Sequence, residues 1–351
     1  METMQAAVFK GNGILKVEEV EIPKIEKDDQ VLLKVHAASI CGSDIHALHV
    51  PPGQAIKTGV IMGHEFFGII VGTGAKVNNF EIGDSVAVNP CLPCGECWEC
   101  KHNMRNLCVN PRHYGQTCDG GFAEYALVET SQIYHLPKDI DPDIAAQTEP
   151  LACVVYSLNM VKPSPADYVL LYGAGPIGLT YIKALQAYGI RNLAVVAKGP
   201  KRVEQARECG ADFVIDTQNE SVAERLKEEW GCLADIVLDG VGRGPVLSEA
   251  IRLVNSRGRI MLFGLDHNAI SEVPPAIYTQ KELTMYGSLG KDFPAAIGLI
   301  KDGGMDLKQF ITHRVELTEI NEAIELLKSK AGCRVIVYPD NQLGKIKKNL
   351  I

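Results

Sequence analysis

The sequence predicts an α/β protein made of a β-rich module and a doubly wound parallel sheet. Three observations carry this reading. Up to about residue 150, short β-branched runs are punctuated by Gly and Pro. Beyond it, apolar runs of four to six residues alternate with longer helical patterns. One of those runs leads straight into Gly173-Ala-Gly175-Pro176-Ile177-Gly178.

In order along the chain, residues 31–35, 68–77 and 81–88 read as strands of a barrel-like or sandwich module. Residues 168–172, 193–197, 212–215, 235–238 and 259–263 read as buried parallel strands. Residues 176–188, 201–209, 221–230 and 245–253 read as the helices between them, the alternation of a doubly wound sheet. A helix over 319–328 and a strand over 334–338 close the pattern and return to the first module. Residues 341–351 read as a loose basic tail.

The chain has 351 residues, 46% hydrophobic and 22% charged, so it can build two globular cores. Its formal net charge of -8 argues against binding a nucleic-acid backbone. No apolar stretch is long enough for a membrane span, and residues 1–10 carry no signal-peptide pattern. Five of the 11 cysteines fall between Cys91 and Cys108, which suits metal binding in a reducing compartment, the cytoplasm, better than a disulfide scaffold.

The G-x-G-x-x-G run follows a strand and opens a helix, the context that marks a dinucleotide loop. Gly173 permits the turn, Gly175 the approach of pyrophosphate, and Gly178 close packing of helix on strand. Pro176 and Ile177 begin that helix. An NAD site usually places an acid at the end of the second strand. Here that strand ends at Ala197 and continues Lys198-Gly-Pro-Lys201-Arg202. NADP is therefore expected over NAD, with Lys198 and Arg202 at its 2′-phosphate. The plainer alternative is a solvated helix start.

Cys94, Cys97, Cys100 and Cys108 form two successive C-x-x-C steps and a fourth cysteine after a short loop. Four thiolates suit a closed structural zinc site, with an iron–sulfur cluster as the rival and redox disulfides as a weaker one. Cys91 is left as a bystander. A second constellation is Cys41-Gly-Ser43-Asp44-Ile-His46 with Gly63-His64-Glu65. Catalytic zinc typically keeps about three protein ligands and one open position. Zinc lowers the pKa of a coordinated alcohol, and a hydroxyl with an imidazole can carry the released proton.

These motifs, in this order, resemble the medium-chain dehydrogenase/reductase superfamily in its zinc-containing branch, over nearly the whole chain. The resemblance implies a GroES-like catalytic domain over 1–152 and 293–351, and a Rossmann coenzyme domain over 153–292, with the active site in the cleft between them. It implies Cys41 and His64 as ligands of a catalytic zinc, and Ser43 and His46 as proton relay. Asp44 is then the partner that fixes the tautomer of His64. Glu149, in Thr148-Glu149-Pro150, is similar to the acid of sorbitol, threonine and butanediol dehydrogenases. Glu65 and Glu149 are implied as alternating or shared ligands, while a plain helix-start acid is the alternative for Glu149. Arg314 falls where the family often places a base at the cofactor pyrophosphate. The segment from Ala197 to Arg202 is similar to that of NADP-using polyol dehydrogenases.

The expected function is hydride transfer between a polyol or secondary alcohol and NADP, with one catalytic and one structural zinc. L-threonine or butanediol dehydrogenase is the alternative within the class. A catalytically silent nucleotide-binding or redox-sensing protein is the alternative outside it, disfavoured because every expected ligand and relay residue is present. The resemblance also implies a homodimer or homotetramer acting on a small-molecule substrate.

Overall fold

The computed structural model describes residues 2–339. The basic segment 341–351 lies outside the described residues. The chain divides into two compact units, Met1–Glu149 with Ile311–Ile351, and Pro150–Phe310.

The first unit is built on a seven-stranded sheet. Its order is Ile311–Glu316, Arg334–Tyr338, Gln30–Ser39, Glu65–Thr73, Ser85–Val88 and Ile133–His135, with Tyr125–Glu129 also pairing with Gln30–Ser39. Burial alternates along most of Gln30–Ser39, the period of a strand with one face on a core. Leu33, Val35, Phe66, Ile70, Val86 and Phe122 fill that core. Thr3–Phe9 and Leu15–Glu21 add an antiparallel pair that the sequence reading did not mark.

The second unit is a six-stranded parallel sheet ordered Phe213–Asp216, Asn192–Ala197, Tyr168–Tyr172, Ala234–Asp239, Val254–Leu262, Thr284–Gly287. Five of these strands lie where apolar runs predict them. Such strands are covered on both faces, so their sequences run continuously apolar. The helices Pro176–Ala187 and Pro200–Glu208 each begin with proline, whose fixed φ suits the first helical position. Strand order reverses beside Tyr168–Tyr172, the place where doubly wound sheets open a crevice at their carboxyl ends.

Residues 293–310, assigned to the first module on sequence, pack with the second unit. The reason is local. Asp292 caps the helix Phe293–Lys301, its N–H donates to Ala152 O at 2.9 Å, and Asn159 Nδ2 donates to its carboxylate at 2.9 Å. Phe293 is fully buried. The chain returns to the first unit only at Ile311.

That return is fastened by a buried carboxylate. Asp143 accepts hydrogen bonds from Arg314 Nε at 2.8 Å and from Tyr338 Oη at 2.6 Å. Tyr338→Phe should lower stability by about 1–2 kcal/mol, read as a lower urea midpoint with an unchanged m value.

Candidate functional site

The first metal-type cluster grows from the end of one strand and the start of another. Gln30–Ser39 delivers Cys41, the N-cap of the short helix Gly42–Ala47. Glu65–Thr73 begins at Glu65, directly after His64. Ligand atoms of Cys41, His64 and Glu65 lie within 4.8 Å of one another. Asp44 braces two of these three residues. Its Oδ2 accepts the Cys41 N–H at 2.9 Å, and its Oδ1 lies 3.2 Å from His64 Nδ1. Ser43 Oγ lies 3.4 Å from His64 Nε2. His46 is exposed and stacks on His49 with ring centroids 5.5 Å apart.

Glu149 is buried near the start of the helix Thr148–Val161. It stands outside the Cys41–His64–Glu65 triplet, yet its charge acts on Glu65. Arg334 had no motif to announce it. It is 2% exposed, and its Nη1 donates to Glu65 Oε2 at 2.8 Å across 269 residues of chain. Ser39 Oγ donates to the same carboxylate. Arg334 Nε and Nη2 find no acceptor among the described residues.

Burial sets the electrostatics. It pushes the Cys41 thiol up, and the charge of Glu65 adds to this. It also pushes the Glu65 carboxyl up, against the pull of Arg334 and with the push of Glu149. For His64, burial works downward, but Asp44 and Cys41 outweigh it and hold the ring well above its ordinary value. A half-buried thiol beside a buried imidazole and a buried carboxylate, their ligand atoms within 4.8 Å of one another, is a donor set suited to a divalent cation with a position left open.

The second cluster is a lobe of Cys94, Cys97, Cys100 and Cys108, all within 4.8 Å. Sulfurs sit 4.0 Å apart for Cys94–Cys100 and 3.8 Å for Cys97–Cys108. A tetrahedron with metal–sulfur bonds of about 2.3 Å has edges of about 3.8 Å. N–H groups of Glu96 and Cys97 lower the Cys94 thiol to about 6, while burial pushes Cys100 up to about 12. Cys91 lies outside this group, in the strand Cys91–Leu92.

In the second unit, Tyr168–Tyr172 ends at Gly173, and Gly175 caps the helix Pro176–Ala187. A Cβ on Gly178 would meet Gly173 O at 1.9 Å, so only glycine lets the helix start this close to the strand. Pro176 and Ile177 occupy the first turn. Lys198 is exposed beyond Ala197, and Arg202 is half-buried with Nη1 donating to Gln205 at 3.0 Å. Arg314 lies in the first unit, where Asp143 engages both its Nε and Nη2. That pairing accounts for Arg314 without a phosphate.

Arg334→Met would leave Glu65 buried without its cation and should cost about 3–5 kcal/mol. Urea denaturation measures the loss, and adding Glu65→Gln should restore at least half of it, because the two residues are coupled.

Residues 27–138 match the family model described as the alcohol dehydrogenase GroES-like domain, and residues 176–302 that of the zinc-binding dehydrogenase. A sorbitol dehydrogenase of Halalkalibacterium halodurans is 32% identical over 337 residues, covering 94% of this chain and 97% of that protein. An L-threonine 3-dehydrogenase of Pyrococcus abyssi is 33% identical over 326 residues, covering 91% and 93%. A solved structure from Escherichia coli CFT073, described as a short-chain alcohol dehydrogenase with NADH, matches with a TM-score of 0.90 at 31% identity, over 97% of this chain and 100% of that one. With both domain models matched in order and these identities sustained along its length, the chain belongs to the zinc-containing medium-chain dehydrogenase/reductase superfamily, among its alcohol and polyol dehydrogenases.

Proposed function

We propose that this chain transfers hydride between a polyol, or another secondary alcohol, and NADP, with zinc at Cys41, His64 and Glu65. One observation carries the reading: three donors of different chemistry, the half-buried Cys41 and the buried His64 and Glu65, converge, braced by Asp44, beside the Ser43 hydroxyl. Zinc, when bound, supplies Lewis-acid polarisation of the substrate oxygen. NADP, when bound, accepts the hydride.

The remaining work falls to the chain itself. Asp44 holds the His64 ring in one orientation and tautomer. Arg334 and Ser39 hold Glu65, and Glu149 stands by as a second carboxylate. Ser43 Oγ takes the alcohol proton as it gives up its own, and the exposed His46 ring passes it to water. The amides at the start of Pro176–Ala187 hold the pyrophosphate. Lys198 and Arg202 meet the 2′-phosphate, where a carboxylate at the strand end would repel it. A vicinal diol would have two oxygens to present to a zinc held by Cys41, His64 and Glu65, which favours polyols. The four-cysteine lobe takes a second, structural zinc, since four thiolates leave no open position.

The test is reduced-nicotinamide absorbance with a panel of polyols, simple secondary alcohols and threonine, each with NADP and NAD. A polyol with NADP should give the highest kcat/KM. Lys198→Ala combined with Arg202→Ala should lower NADP efficiency by about tenfold or more and spare NAD. Equal or better efficiency of the unaltered protein with NAD would overturn the assignment of Lys198 and Arg202.

Metal analysis gives a separate check. About two zinc per chain are expected, and Cys100→Ser should remove about one of them and lower the thermal midpoint.

A further inference from the structure

The cation-bearing turn 197–202 departs from a local rule. Helix N-termini favour acids, yet Pro200–Glu208 has no acid in its first turn, no side-chain cap, and Lys201 and Arg202 instead. Positions that break local rules in this way are often functional. What holds the turn is on the neighbouring strand. Ala197 and Asp216 pair at the ends of adjacent parallel strands. Beyond them, Thr217 N and Oγ1 both donate to Ala197 O, at 3.1 and 3.2 Å. The Gly199 N–H donates to Asp216 Oδ1 at 3.0 Å. The same oxygen accepts from Gln218 N at 3.1 Å, and Asn219 Nδ2 donates to Oδ2 at 3.2 Å. Gly199 sits at φ 88°, which glycine adopts without strain, and because glycine is free to take other conformations the hydrogen bond to Asp216 is what holds this one. Asp216 is 9% exposed, and its oxygens are already occupied by donors of the two loops.

We propose that Asp216 is the specificity-positioning residue of the dinucleotide site: by clamping Gly199 it sets Lys198 and Arg202 on either side of the turn to receive a 2′-phosphate. The inference rests on the NADP reading above. Asp216 acts through its acceptor geometry, not by touching the cofactor. The Gly199 and Gln218 amides hold its carboxyl below the usual range, so the clamp stays ionised and persists across the neutral range.

Isothermal titration of the zinc-loaded full chain with 2′,5′-ADP and with 5′-ADP tests this without turnover. The unaltered protein should prefer 2′,5′-ADP by about tenfold or more. Asp216→Ala should lose about tenfold in 2′,5′-ADP affinity and keep 5′-ADP within about threefold, which also shows that the unit is folded. Asp216→Asn retains the Oδ1 acceptor and should stay within about threefold for both ligands. If Asp216→Ala keeps or gains 2′,5′-ADP affinity, or if Asp216→Asn loses as much as Asp216→Ala, the clamp is wrong. If the unaltered protein shows no preference, the NADP reading fails and takes the clamp with it.

Discussion

The buried pair between Glu65 and Arg334 is the constraint from which much of the first unit follows. A site that gathers a thiol, an imidazole and carboxylates concentrates negative charge where water cannot screen it. A cation must lie beside it, and the chain supplies one from its last described strand. That strand reaches the site because Ile336 and Val337 pair with Ser39 and Ala38, and Ile40 N donates to Val335 O. The sheet hydrogen bonds that build the core thus also deliver the counter-charge. Asp143 repeats the arrangement on a neighbouring return residue, Arg314.

The second unit divides its work differently. Its parallel sheet is held by continuous apolar strands, with Leu170, Val196, Val237 and Ile260 in one core. That leaves the carboxyl ends of the strands free to carry turns selected for ligand contact instead of burial. Gly178 is fixed by sterics and Asp216 by hydrogen bonds. Neither contributes to the apolar core, and each governs a backbone path.

What could be read in advance follows the range of the interaction concerned. Tyr168–Tyr172 and Arg334–Tyr338 have the predicted ends, because the apolar runs 168–172 and 335–338 record burial on both faces. The four cysteines and the glycine loop are local in sequence and were legible for that reason. Thr284–Gly287 was missed because its side chains are exposed or only half-buried and leave no apolar pattern. Leu15–Glu21 was missed because its three glutamates obscure the alternation. Arg334 could not be tied to Glu65 in advance, since no local pattern encodes a contact across 269 residues. The assignment of 293–310 failed for a similar reason: a cap at Asp292 decides it, and its partners Ala152 and Asn159 lie far upstream.

The split construction of the first unit has a consequence for how the chain emerges from the ribosome. Its opening segment ends at Glu149, but the strand that completes its sheet ends at Tyr338, about 190 residues later. At about 5–20 residues per second, roughly 10–40 s separate the two. During that interval the contiguous stretch Pro150–Phe310 can complete its own sheet, while Glu65 waits without its arginine and the Ala38–Ser39 end of its strand keeps an unpaired edge. The middle of the message therefore finishes first, and the first unit is the part most in need of shelter while the chain is being made.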